Sequence, residues 1–188
     1  MIKEERNRKQ SLALVLLVIA TLCTVFLMTR DVQAAKAGFK TINGKTYYIT
    51  ASGAKQKGWL TLKGKKYYFN KKTGVQLKGW QKDSKGRNIR YFTKGKGVMA
   101  TGFLKSGTVT RYFRPSNGKL VRGWLTLKGK KYYFYSGSGV AACKTFLTDS
   151  KDNTRYFTSA CYMLTGWAKN SNQESRYFET SDGIMAKG

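Results

Sequence analysis

The sequence of 188 residues contains no histidine. That removes the commonest general base and a common metal ligand. Acidic residues are scarce as well, nine against 36 lysines and arginines. Beyond residue 37 only Asp83, Asp149, Asp152, Glu174, Glu179 and Asp182 remain, and the repeat register set out below assigns all six to turns or strand ends. Glycoside hydrolysis needs two carboxylates facing one bond at a defined separation. The nearest pair, Asp149 and Asp152, reads better as a solvated hairpin turn, because Asp and Asn favour turns. The expectation is a protein with no catalytic residue, no metal site and no cofactor.

Long apolar runs are also missing, with one exception. Lys3, Arg6, Arg8 and Lys9 precede an uncharged stretch from Leu12 to Met28, the pattern of an export signal. Small-residue cleavage patterns follow at Val32-Gln33-Ala34 and Ala35-Lys36-Ala37. The second is favoured, because Gly38-Phe39 then opens the first repeat. This divides the chain into a signal peptide, 1–37, and a mature array, 38–188. The alternative is an uncleaved N-terminal anchor, since the run is just long enough to span a bilayer. Either way the basic end stays inside and the rest is exported. Cys23 is not a convincing lipid-attachment site, because Leu22 precedes it and the apolar run continues past it.

The exported part holds 30 of the 36 basic residues and 6 of the 9 acids, a formal charge of +24. Such a surface attracts polyanions. Export, and the even spread of charge over the repeats, favour an anionic envelope polymer of the teichoic-acid type over nucleic acid. No nucleic-acid partner is expected, and the membrane is met only through the N-terminal segment.

What the sequence has in abundance is one motif. Gly58 to Phe69, GWLTLKGKKYYF, recurs unchanged at Gly123 to Phe134. Within it Trp59 to Leu62 and Lys66 to Phe69 favour strands, and Lys63-Gly64 suits a tight turn, so the unit reads as a β-hairpin. Alternation along the return strand turns Tyr68 away from the face that takes Tyr67 and Phe69. The first aromatic of each unit falls at Phe39, Trp59, Trp80, Phe103, Trp124, Phe146 and Trp167, giving seven repeats of 20 to 23 residues. The return strand carries Tyr48, Tyr68, Tyr91, Tyr112, Tyr133, Tyr156 and Tyr177. A closing turn carries Gly53, Gly74, Gly97, Gly118, Gly139 and Gly183, where a positive φ or a tight approach is expected. Repeat six breaks this rule, with Ser159-Ala160-Cys161-Tyr162-Met163 in place of a turn glycine. The identical segments begin at Gly58 and Gly123, three repeats apart, which marks duplication of a three-repeat block. A lone hairpin cannot bury its aromatic face, so stacking of successive hairpins is expected.

The pattern G-W-x(4)-G-x-x-Y-Y-F resembles the cell-wall-binding, or choline-binding-like, repeat family across residues 38–188. The resemblance implies an all-β fold, an elongated solenoid of about seven stacked hairpins behind an N-terminal hydrophobic signal helix, with ligands between adjacent repeats. Choline-binding members resemble a subset with a further Trp just before the Tyr-Tyr pair. Here that position is Thr46, Lys66, Ile89, Thr110, Lys131, Thr154 and Ser175, so one wall of the cage is absent and a Lys there repels a cation. The Gly-Lys-Lys-Tyr-Tyr-Phe form is more similar to glucan-binding repeats of glucansucrases and to repeat domains of glucosylating toxins. The implied function is a secreted, non-catalytic protein that binds cell-wall polysaccharide or glucan. The alternatives are a choline-binding module on teichoic acid and a cationic adhesion protein whose repeats are scaffold only. The candidate ligand-binding residues are Trp59, Tyr68, Trp80, Tyr91, Trp124, Tyr133, Trp167 and Tyr177, whose repeats keep the full Gly-Trp signature. The same rings can equally be the mortar between hairpins.

Cys143 and Cys161 are the two cysteines beyond residue 37, and they lie almost one repeat apart in the irregular segments flanking the sixth hairpin. In an exported chain they are a candidate disulfide, if stacking brings their Cα atoms within about 7 Å. The alternative is that each is a small apolar filler.

Overall fold

The computed structural model describes residues 4–5, 36–169 and 173–187. The apolar run Leu12–Met28, and with it most of the expected signal segment, lies outside the described residues. No described helix is long and apolar enough to cross a membrane.

From residue 38 onward the described regular structure is all β, seven antiparallel two-stranded sheets formed by strands consecutive in sequence. The hairpins are β1 (Gly38–Ile42) with β2 (Lys45–Ile49), β3 (Gly58–Leu62) with β4 (Lys65–Phe69), β5 (Gly79–Gln81) with β6 (Arg90–Phe92), and β7 (Gly102–Ser106) with β8 (Val109–Phe113). They continue with β9 (Gly123–Leu127) and β10 (Lys130–Phe134), β11 (Thr145–Thr148) and β12 (Thr154–Phe157), and β13 (Gly166–Lys169) and β14 (Ser175–Phe178). The expected all-β array of hairpin repeats is therefore what the chain forms. Lys63 and Gly64 have φ of 49° and 72°, as do Lys128 and Gly129 at 48° and 73°. Positive φ at both central residues matches the right-handed twist of the flanking strands, which makes this turn compatible with a two-residue hairpin.

The chain divides into two compact units, Met1–Gln56 and Lys57–Gly188. In the first, β1 and β2 place Phe39 opposite Tyr48, and Lys55 bridges back to Ile49. In the second, six hairpins stack by a recurring pair of backbone bonds. The Met99 N–H donates to the Lys66 carbonyl of the preceding hairpin at 2.8 Å, and the next N–H, of Ala100, donates to Tyr91 of its own hairpin at 2.8 Å. Leu120 and Val121, Ala141 and Ala142, Met163 and Leu164, and Met185 and Ala186 repeat the arrangement. Each closing segment thus pairs with two hairpins at once. Phe69, Phe113, Phe134, Phe157 and Phe178 fill the resulting core and are fully buried.

The closing turns stack as tightly as the strands. A Cβ on Gly139 would lie 2.6 Å from the Leu120 side chain, and one on Gly183 would lie 2.5 Å from Met163. Both glycines also have positive φ, 65° and 71°. Repeat six solves the same contact differently. Its closing turn is tighter, with Cys161 N–H donating to Thr158 three residues back, where Gly139 N–H reaches Tyr135 four residues back. Cys161 takes the positive φ, 65°, and the residue corresponding to Leu120 and Met163 is the small Ala141, which shares its buried cluster. A small residue on one side makes room for a side chain on the other.

That side chain is bonded to Cys143, with Cα atoms 4.1 Å apart and sulfurs at 1.91 Å. The bridge ties the connection entering hairpin six to the turn that leaves it. Closing a loop of 18 residues is expected to stabilise this region by about 2 to 3 kcal/mol through restriction of the unfolded chain. Thiol titration of the denatured 38–188 chain should find no free thiol, and dithiothreitol should lower the denaturation midpoint of wild type but not of Cys143→Ser/Cys161→Ser.

Candidate functional site

Register decides which rings meet. Trp59 lies opposite Tyr68, Trp80 opposite Tyr91, Trp124 opposite Tyr133 and Trp167 opposite Tyr177. All eight candidate residues therefore fall into four cross-strand pairs, with centroids 4.8 to 5.1 Å apart. The alternation that buries Tyr67 and Phe69 leaves Tyr68 half-buried and Trp59 49% exposed. Trp124 is equally exposed at 49%, and Trp167 reaches 73%. These rings are part mortar and part surface. Trp59 packs on Phe92, Trp80 on Phe113 and Trp124 on Phe157 of the following hairpin, at 5.9 to 6.1 Å, and each tryptophan still keeps 45 to 49% of its surface exposed.

Sequence reasoning missed the third member of each group. Arg90 lies over Trp59 at 5.7 Å, Arg111 over Trp80 at 5.2 Å and Arg155 over Trp124 at 5.8 Å. Each belongs to the next hairpin's return strand and is anchored from behind. Arg90 Nε donates to the Asn117 carbonyl at 2.8 Å, Arg111 Nε to Ser138 at 3.3 Å and Arg155 Nε to Asp182 at 3.0 Å. A signal was present, since these repeats read Arg-Tyr-Phe where repeats two and five read Tyr-Tyr-Phe. The guanidinium sits where a ligand cation would approach the ring, by the same attraction to the π face. At Phe103 the corresponding neighbour is Tyr132, at 5.3 Å.

Clefts open beside two of these groups. Around Trp59, cavities of about 270 and 310 Å³ share Trp59 and Arg90 and extend to Lys66, Lys82 and Asp83. Around Trp124, a cavity of about 460 Å³ is lined by Lys131, Tyr133, Asp149, Arg155 and Asp182. Trp124, Thr126, Lys131 and Arg155 correspond, one three-repeat block on, to Trp59, Thr61, Lys66 and Arg90, so the duplication has produced two versions of one cleft.

Asp149 organises the turn beside the second cleft. Its carboxylate accepts from the backbone N–H of Asn153 at 3.1 Å and of Lys151 at 2.9 Å, and from Arg155 Nη1 at 3.0 Å. The Asn153 bond above all, then Arg155, brings its pKa down from 3.8 to about 2. Asp83 is held below the ordinary range chiefly by the Arg87 N–H. A depressed folded pKa means that the contribution to stability is present above pH 3.8 and is lost as pH falls toward 2. The Asn153 amide resonance should accordingly titrate near pH 2, and a midpoint near 4 would show that the turn is not formed.

A model described as choline-binding repeat matches residues 36–74 and 58–103, and one described as putative cell wall binding repeat matches residues 123–141. These hairpins belong to the cell-wall-binding repeat family. Glucosyltransferase-S of Streptococcus mutans is 36% identical to this chain over 154 residues, which is 80% of this chain and 10% of the enzyme. Among solved structures, CbpJ of Streptococcus pneumoniae is 27% identical with a TM-score of 0.69, covering 80% of this chain and 52% of that one. Choline binding protein F of the same organism is 28% identical over the same shares, again with a TM-score of 0.69. This chain thus spans about half of each of these two solved structures and a tenth of the glucosyltransferase.

Proposed function

We propose that this is an exported, non-catalytic cell-wall-binding protein whose clefts between hairpins stack a neutral or acidic glycan on tryptophan, with the basic surface adding attraction to anionic wall polymers. The observation that carries this reading is the recurring group of a half-exposed Trp, a cross-strand Tyr and an anchored Arg from the next hairpin. A flat apolar face beside fixed donors is how a sugar is held, through its C–H face and its hydroxyls together. Localisation at the cell surface or in the wall is the reading that the match to a putative cell wall binding repeat supports.

Choline is the second reading, favoured by the family description that matches residues 36–103. Against it, the guanidinium over Trp59, Trp80 and Trp124 occupies the face that a quaternary ammonium would use, and like charges repel. A pull-down of the 38–188 chain with purified Gram-positive wall, with and without teichoic acid, tests the proposal. Retention is expected in two parts, one lost with rising salt and one resistant, since ionic attraction is screened and ring stacking on a neutral sugar is not. No retention at physiological salt would refute wall binding, and elution from a choline column only by free choline would establish the second reading.

A further inference from the structure

The two duplicated clefts share a frame, and among the positions that line both, three differ, each toward lower positive charge or lower polarity in the second. Lys82 beside Trp59 becomes Thr148 beside Trp124, Asn117 becomes Asp182, and Gln81 becomes Leu147. The first cleft is lined by three cations, Lys66, Lys82 and Arg90, with one acid, Asp83, leaving a formal +2. The second is lined by two cations, Lys131 and Arg155, with two acids, Asp149 and Asp182, which cancel. Pairing sharpens the contrast. Arg155 is bridged to Asp149 at 3.0 Å. Asp83 instead spends its carboxylate on the N–H groups of Lys85 and Arg87 and on the Asn88 amide, so the Arg90 guanidinium stands over Trp59 held by a neutral carbonyl.

We infer that the clefts have diverged in ligand: the Trp59 cleft takes a sugar bearing an anionic group, a phosphate or a carboxylate, and the Trp124 cleft takes a neutral sugar. This rests on the carbohydrate-binding reading proposed above and assigns a different substrate class to each half of the duplicated array. One chain would then grip an acidic polymer and a neutral glycan simultaneously, at sites one three-repeat block apart. Asn117 and Asp182 make the swap structurally cheap. Each offers the same backbone carbonyl to the arginine and the same side-chain oxygen to the N–H two residues on, so only the charge differs.

The four tryptophans give four indole N–H resonances, which report each cleft separately in the full array. Three probes of equal length are titrated: a neutral glucose oligomer, the same oligomer carrying one phosphate monoester, and a uronate oligomer. The acidic probes should shift the Trp59 indole at concentrations at least about fivefold lower than the Trp124 indole, the factor expected of two unit charges across a solvated cleft. The neutral probe should show no preference for Trp59, and the two acidic probes separate phosphate from carboxylate recognition. Lys82→Thr with Asn117→Asp should abolish the preference, and Thr148→Lys with Asp182→Asn should install it at Trp124, all other resonances staying in place. Equal midpoints at both indoles for every probe would overturn the divergence while leaving carbohydrate binding intact. No indole shift with any probe would overturn both.

Discussion

Phe134→Ala should lower the unfolding free energy of the array by about 3 to 5 kcal/mol, the largest stability loss expected of a single substitution in this chain. The ring is 0% exposed. It lies in a cluster with Tyr112, Val121, Tyr132, Ala141 and Cys161, so atoms from three successive repeats close around it. None of these can collapse into the void cheaply. Tyr132 is held by its ladder pairing with Leu125, the Tyr112 carbonyl accepts from the Val121 N–H, and Ala141 is fixed by its bond to the Thr110 carbonyl. Because each hairpin in a linear array touches mainly its neighbours, the damage should be local. Hydrogen exchange should therefore accelerate most in β7 to β12 and least in β3 and β4. A loss below about 1 kcal/mol, or uniform loss of protection, would contradict a core built repeat by repeat.

The second large effect concerns binding. Replacing Trp59 and Trp124 together by Ala should reduce salt-resistant retention on purified wall by roughly five- to twelvefold per cleft, as loss of a stacked ring is worth about 1 to 1.5 kcal/mol. Half of each ring is already solvent-facing, and the buried Phe92 or Phe157 beneath keeps its own hairpin contacts. The stability cost should then be well below that of Phe134→Ala. Affinity and stability thus separate: retention falls while the β-sheet spectrum and denaturation midpoint change little. Equal loss of both would mean the tryptophans are only mortar. Arg90→Gln and Arg155→Gln supply a control, since both remove the guanidinium over the ring and leave the ring itself.

Much of this architecture is legible in the sequence because hairpins are local. Gly64 and Gly129 suit the second of the two positive φ values of this turn, with Lys63 and Lys128 adopting the first, and once that turn is fixed, Trp59 must fall opposite Tyr68 and Trp124 opposite Tyr133. The period-two alternation of Tyr67, Tyr68 and Phe69 then dictates which ring is buried and which is offered. The positive φ of the turn glycines follows in the same way, and the cysteine that replaces one in repeat six is visible as an irregularity.

What the sequence by itself determined, then, was the repeat, its register, the duplication and the ring pairs within each hairpin. Only the tertiary structure decided that Arg90, Arg111 and Arg155 lie over the tryptophans, that Ala141 makes room for Cys161, and that the duplicated clefts carry different charge. These contacts join Trp59 to Arg90, Trp80 to Arg111 and Trp124 to Arg155, each across more than one repeat of sequence. Pairing within a hairpin is set by backbone bonds of fixed period, whereas contact between hairpins depends on the rotation and slide of one onto the next. That displacement is fixed by the bridging N–H groups of Met99, Leu120, Ala141, Met163 and Met185 and by the ring volumes packed above them, and no residue spacing encodes it.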